Sequence, residues 1–223
     1  MVFSFSLTHN PSIEPLCNII LSDDEILRSN RYLTETSANQ FRLTRTYLRL
    51  ILGHFLPTLP HDISFQKSKH GKLFIQDSLL FFNLSHSQNR GVIVISSHEL
   101  IGIDLEYIKP RHQYQNIAKR YFSLIENNWL DSQPRSLQIS SFYDIWTGKE
   151  AIAKNVGLGL LLDFTSFSVI PIHSQISATL FGHETDQSST QFLLHYIPIN
   201  NHYSCCFSST NHPNTNYKLI TLS

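Results

Sequence analysis

Residues 101–106 read Ile-Gly-Ile-Asp-Leu-Glu, and a second charged segment, residues 146–154, reads Trp-Thr-Gly-Lys-Glu-Ala-Ile-Ala-Lys. These two stretches constrain the fold more than any other feature of the chain. In the first, side chains alternate across a strand. Ile101, Ile103 and Leu105 fall on one face, and Gly102, Asp104 and Glu106 on the other. Two carboxylates side by side on one face repel unless a cation or a proton lies between them. Gly102, with no side chain, leaves room beside Asp104 for a bulky group. The pattern outlines a hard-cation site. Its alternative is a solvated strand face, where most isolated Asp-x-Glu pairs sit.

The second stretch predicts a helix over Phe142–Asn155. Phe142, Ile145, Trp146 and Ala153 recur at helical spacing and define an apolar face. Glu150 and Lys154 lie one turn apart at its edge, and Lys149 falls within its arc. Charged groups bordering an apolar surface need partners. Gly157 and Gly159 supply the stop signal. Taken alone, Glu150–Lys154 is also an ordinary i,i+4 pair worth only ~0.2–0.5 kcal/mol. Specificity comes from the two segments in this order.

At 223 residues the chain can bury a core, as one large domain or two smaller lobes. A hydrophobic content of 41%, with nine Tyr and fifteen Phe, fits a globular protein rather than a disordered one. Basic and acidic residues balance at 17 each, and only 15% of the chain is charged. That argues against a nucleic-acid binder that works by neutralising many phosphates. Cys17, Cys205 and Cys206 form neither a disulfide framework nor a zinc pattern, so reduced thiols in a cytoplasmic protein are expected. No apolar run approaches the ~20 residues that span a bilayer, and the N-terminus lacks the basic start of a signal peptide. No membrane association is expected.

The first half reads as a strand over Val2–Thr8, a helix from Ser22 toward Tyr32 and a longer helix over Ser37–His54. Pro57 and Pro60 end that helix. Short strands follow over Ile63–Gln66, Lys72–Ile75, Leu79–Leu84, Gly91–Ser96 and Leu100–Glu106. Pro110 opens a second half with a helix over Tyr114–Tyr121, a polar stretch over Asn127–Ser140 and the Phe142–Asn155 helix. Strands are then expected over Phe167–Pro171, Ser177–Phe181, Gln191–Ile197, His202–Ser208 and Tyr217–Leu222. Mixed helices with mainly adjacent strands define an α+β class.

Four further stretches complete a pattern: His70-Gly71-Lys72, Phe82-Asn-Leu-Ser-His-Ser87, Ala118–Ser123 with Glu126, and Gly157-Leu-Gly-Leu160. With the two opening segments they resemble the 4'-phosphopantetheinyl transferases of the Sfp type, the single-chain class, over about residues 21–170. The resemblance implies two similar α/β lobes related by a pseudo-twofold, with the active site between them. The lobes are placed at 1–106 and 107–223, in a monomer. It also implies transfer of the phosphopantetheine arm of coenzyme A to a serine of an apo acyl or peptidyl carrier protein, with magnesium.

By position in that pattern, Asp104, Glu106 and Glu150 would hold the metal, and Glu150 would also act as general base. Lys154 would neutralise or protonate the departing 3',5'-ADP, and His86 is a further catalytic candidate. Lys72, Ser85, His86 and Lys149 would contact the coenzyme, with a solvated Lys149 as the alternative. Leu73 replaces the family's proline after Lys72. Arg28 matches a 3'-phosphate position, but Gln40 stands where arginine is common. Either Arg42 or Arg31 substitutes, or the 3'-phosphate is held less tightly. Carriers of this kind are acidic. Lys109, Arg111, Lys119 and Arg120, with Ile117, Tyr121 and Phe122, form either their docking surface or an ordinary solvated helix face. A degenerate family member that binds coenzyme A or a carrier without turnover is the alternative function. A different metal-dependent phosphotransferase or hydrolase is a third, although no Walker loop is present.

Overall fold

The computed structural model describes residues 1–110, 113–171, 175–181, 189–210 and 217–222. Strand β1 (Val2–Ser6) alternates as its sequence requires, sending Phe3 and Phe5 into one core and Val2 into another. Helix α1 (Glu14–Ile20) carries Pro15 in its first turn, where the missing N–H costs nothing. At seven residues it is too short to show a period in the sequence. Helix α2 (Asp23–Ser29) begins with a reciprocal capping box between Ser22 and Glu25. Helix α3 (Glu35–Phe55) is capped by Thr34 and buries Leu43, Tyr47, Leu48 and Ile51.

The expected strands over Ile63–Gln66 and Lys72–Ile75 shrink to a two-residue pairing of β2 (Gln66–Lys67) with β3 (Leu73–Phe74). Strand β4 (Phe81–Ser87) turns into β5 (Arg90–Ser96), and β6 (Ile101–Tyr107) follows. Helix α4 (Tyr114–Tyr121) leads to α5 (Leu124–Ser132), which occupies part of the expected polar stretch. Its start is fixed by a capping box between Ser123 and Glu126. Helix α6 (Gln138–Val156) ends on Gly157, whose φ of 81° suits a residue without Cβ. Residues 167–171 form no strand; they bury Phe167 and Val169 against the second core. The last strands are β7 (Gln175–Phe181), β8 (Ser189–Tyr196), β9 (Tyr203–Thr210) and β10 (Leu219–Leu222).

Two four-stranded sheets result, in the orders β10-β1-β5-β4 and β6-β9-β8-β7. All pairings are antiparallel except β1 with β10. Helix α3 covers one face of the first sheet, with Tyr47 stacked on Phe5 at 4.3 Å. The other face meets the second sheet through Val2, Val92 and Val94 against Ile101, Ile103 and Leu105. Helix α6 covers the far side of the second sheet. The layers therefore run helix, sheet, sheet, helix, an α+β arrangement. The division drawn at 106/107 does not follow the sheets: β6 bonds to β9 of the second sheet, and β10 returns to the first.

Candidate active site

Gly102 explains how α6 reaches β6. A Cβ there would lie 2.1 Å from the Ala151 carbonyl oxygen and 2.4 Å from the Asn155 nitrogen. The space beside Asp104 is thus filled by the α6 backbone, which corrects the expectation that Gly102 leaves room for a ligand. Close approach brings Lys154 onto β6. Its ammonium lies 2.6 Å from Asp104 Oδ1 and donates to Ser85 Oγ at 2.9 Å. Ser85 in turn donates to the same Asp104 oxygen at 2.9 Å. Asp104 Oδ2 is buried without a hydrogen-bond partner, an unfavourable state for an anionic oxygen.

Glu106 Oε2 accepts from Ser87 Oγ at 3.1 Å. Half-buried Glu150 completes the acidic group. Burial first, then the charges of Asp104 and Glu106, push its carboxyl up to about 7, against the opposing pull of Lys154. Three coupled carboxylates with one buried orphan oxygen are relieved by a divalent cation. Among the described residues, no three acidic, His or Cys side chains close a cage by themselves. The donor set fits a hard ion that takes one or two protein carboxylates and completes its shell with water and phosphate oxygens.

Beside this group lies a cavity of about 280 Å³ lined by Arg45, Lys72, Asn83, Lys154, Gly157 and Gly159, among others. Lys72 donates to the Ile101 and Asn155 carbonyls at 3.0 Å each, and burial lowers its pKa to about 8. His86 is largely exposed, yet the surrounding protein, then the charges of Lys154 and Arg45, lower its pKa. Arg45 also lines a neighbouring hollow of about 290 Å³ with Arg28, Phe41 and Lys67. Arg28 and Arg45 both lie over the Phe41 ring, at 5.2 and 5.4 Å. The two hollows share Arg45 and Leu73 and form one trough. In it Arg28, Arg45, Arg49, Lys67, Lys72 and Lys154 outnumber Asp24 and Glu25, although Glu25 lies 3.9 Å from Arg45 and 2.7 Å from Arg49. A larger cleft of about 780 Å³, lined by Met1, Phe55, Glu99 and Tyr217 among others, contains none of these groups.

Several assignments need correction. Lys149 is wholly buried, paired with Glu126 at 2.9 Å and bonded to the Phe164 and Phe167 carbonyls, so it contacts no phosphate. Arg42 is engaged by Glu35, Asn39 and Ser29 and faces a separate hollow beside Glu14 and Cys17. Arg31 is exposed, and Gln40 donates to the Gln88 carbonyl. Arg45, not singled out in the sequence as a site residue, lines both hollows instead. Its signal was membership in the Arg-rich face of α3, with nothing to separate it from Arg42. Phe122 is buried against Phe142, while Leu124 and Ile125 are exposed instead. Lys109, Lys119 and Arg120 are exposed, and Arg111 lies outside the described residues. Cys17, Cys205 and Cys206 are free and buried. Among the described residues no helix is long and apolar enough to cross a membrane.

A cationic trough leading to coupled carboxylates and a paired lysine defines a centre that can hold a polyphosphate and move a phosphoryl-linked group. The chain belongs to the 4'-phosphopantetheinyl transferase superfamily, whose family profile matches residues 100–208. It is 38% identical over 144 residues to the 4'-phosphopantetheinyl transferase HetI of Nostoc sp., a match covering 63% of this chain and 61% of that protein. It is 35% identical over 137 residues to the transferase gsp of Aneurinibacillus migulanus, covering 61% and 56%. It is 33% identical over 150 residues to the transferase Sfp of Bacillus subtilis, covering 67% and 66%. The chain thus spans less than two thirds of each relative's length.

Proposed function

We propose that this chain transfers the 4'-phosphopantetheine arm of coenzyme A to a serine hydroxyl of an apo acyl or peptidyl carrier protein, releasing 3',5'-ADP. The observation that carries the reading is the convergence of Lys154, Asp104 and Glu150 at the end of the cationic trough. The relatives are named 4'-phosphopantetheinyl transferases, which supports the reading. Magnesium is the proposed ion, held through one or two of the carboxylates of Asp104, Glu106 and Glu150, with water and phosphate oxygens completing its shell. When bound it would supply charge neutralisation for the pyrophosphate oxygens.

The protein's own groups account for the remaining work. Arg28 and Arg45 take the 3'-phosphate, and Lys72 and His86 line the path to the pyrophosphate. Glu150, whose carboxyl burial and its acidic neighbours push up to about 7 before any cation is bound, is the proposed base. It accepts the proton of the carrier serine as that oxygen bonds to phosphorus and the bridging bond to 3',5'-ADP breaks. Lys154 faces the departing phosphate and neutralises its new charge. The carrier docks on Lys119 and Arg120, with exposed Leu124 and Ile125 replacing Phe122 as apolar anchors. A cytoplasmic monomer is the proposed form, in keeping with three free thiols.

The test is incubation with coenzyme A, magnesium and an apo carrier, followed by intact-mass measurement of the carrier. A gain of one phosphopantetheine supports the reading. Coenzyme binding with no gain on any of several carriers would instead mark a non-catalytic binder.

A further inference from the structure

Strands β4 and β6 are edge strands of different sheets and belong to separate hydrogen-bonded ladders. Alternate side chains of β4 span the gap. Asn83 Oδ1 accepts the Ile103 N–H at 2.9 Å. Ser85 Oγ serves Asp104, and Ser87 Oγ accepts the Tyr107 N–H and serves Glu106, both at 3.1 Å. The direction of each hydroxyl proton follows from its neighbours. Lys154 Nζ and the Tyr107 N–H can only donate, so Ser85 and Ser87 must accept from them. Each serine's single proton is then left for a carboxylate: Asp104 Oδ1 for Ser85 and Glu106 Oε2 for Ser87.

This arrangement has a consequence for the acidic pair. Lys154 and Ser85 together occupy Asp104 Oδ1, while Oδ2 is buried and without a partner. We infer that Ser85 and Ser87 are positioning residues that orient the carboxylates of Asp104 and Glu106 toward a divalent cation. The inference rests on the proposed cation site. Ser85 is then no phosphate donor, because its proton is already committed to Asp104. The same side chains replace the missing backbone ladder between the two sheets, so cation geometry and sheet apposition share one set of hydrogen bonds. Partners of this kind change metal affinity by roughly 10–100-fold.

The test uses the full chain without coenzyme and follows Mn²⁺ binding by the electron paramagnetic resonance of the free ion. Ser85→Ala and Ser87→Ala should each weaken Mn²⁺ about 10-fold or more, and Ser85→Thr, which keeps the hydroxyl, should bind more tightly than Ser85→Ala. Coenzyme A affinity measured without divalent ion should be unchanged in all three. Thermal denaturation reports folding, and half-buried Ser87 carries the test if Ser85→Ala does not fold. Normal Mn²⁺ affinity in both alanine variants overturns the inference alone. So does a loss of coenzyme affinity in Ser85→Ala with Mn²⁺ binding intact, which would make that hydroxyl a phosphate contact. An unmodified protein that binds no Mn²⁺ overturns the cation site itself and the positioning role with it.

Discussion

Lys149 and Glu126 are both fully excluded from solvent, with the ammonium 2.9 Å from the carboxylate, one residue before Glu150. Lys149 spends its other protons on the Phe164 and Phe167 carbonyls at 2.5 and 2.7 Å. Glu126 also accepts the N–H groups of Ser123 and Val169, at 2.7 and 2.6 Å. The pair therefore knots α5, α6 and the 164–169 segment together. Burial pushes the carboxyl up and the ammonium down, while each partner opposes the other's shift.

Removing one member of such a pair leaves a buried charge without compensation, at a cost of roughly 3–5 kcal/mol. Lys149→Met should lower unfolding stability by about that much. Lys149→Met/Glu126→Gln removes both charges and keeps an acceptor for the Val169 N–H. It should recover a substantial part of the loss in urea denaturation. A Lys149→Met variant of undiminished stability would contradict the knot.

The partners of Lys149 were not legible in the sequence. They come from α5 and from a segment past α6, and only tertiary packing brings them to the lysine. A lysine in the arc of an apolar face is read equally well as a phosphate contact. Asp104 and Lys154, by contrast, were legible because strand and helix periodicity fix which way each side chain points. Helix α5, nine residues long and interrupted by Asn127 and Asn128, was too short to show a clear period, although its Ser123-x-x-Glu126 capping box was in plain view. Gly102 was read as leaving room for a bulky group, whereas the α6 backbone fills that space, a contact that only tertiary packing discloses.

Lys154 is held by Asp104 and Ser85 at the trough's end, so its charge is fixed before any substrate arrives. Preorganised charge of this kind is worth roughly 10²–10³ in turnover. Lys154→Met and Asp104→Asn should each lower kcat for carrier modification by about that factor. A drop below about threefold in both would place the chemistry elsewhere. Removing divalent ions with a chelator should abolish transfer, and added magnesium should restore it.

Arg45 and Arg42 lie on the same helix but face different hollows. Arg45→Ala should weaken coenzyme A by about 10-fold or more while leaving dephospho-coenzyme A nearly unaffected, because a charge-assisted bond to phosphate contributes ~1.5–3 kcal/mol. Arg28→Ala should behave alike, and Arg42→Ala should bind both ligands normally. Calorimetric titration of the three variants with the two ligands decides the placement. Equal losses for both ligands in Arg45→Ala would remove that guanidinium from the 3'-phosphate.

His195 offers a prediction independent of the active site. It lies in the second sheet, stacked on Phe207 at 4.4 Å and edge-on to Tyr217 at 5.9 Å. Its Nε2 has no partner, and burial lowers its pKa from 6.5 to about 4. The folded protein therefore keeps this imidazole neutral in a range where the unfolded chain protonates it. Between pH 6.5 and about 4 the unfolded state binds the extra proton, so stability is present above the window and is lost as pH falls through it. The loss is on the order of 3 kcal/mol if the whole shift is realised. His195→Phe keeps a flat ring against Phe207 and has nothing to protonate. Its unfolding free energy should fall less steeply over this window than that of the unmodified protein. Parallel pH profiles for the two would mean that the imidazole is protonated in the folded state as readily as in water, through a route to solvent that the closed stack on Phe207 and Tyr217 does not offer.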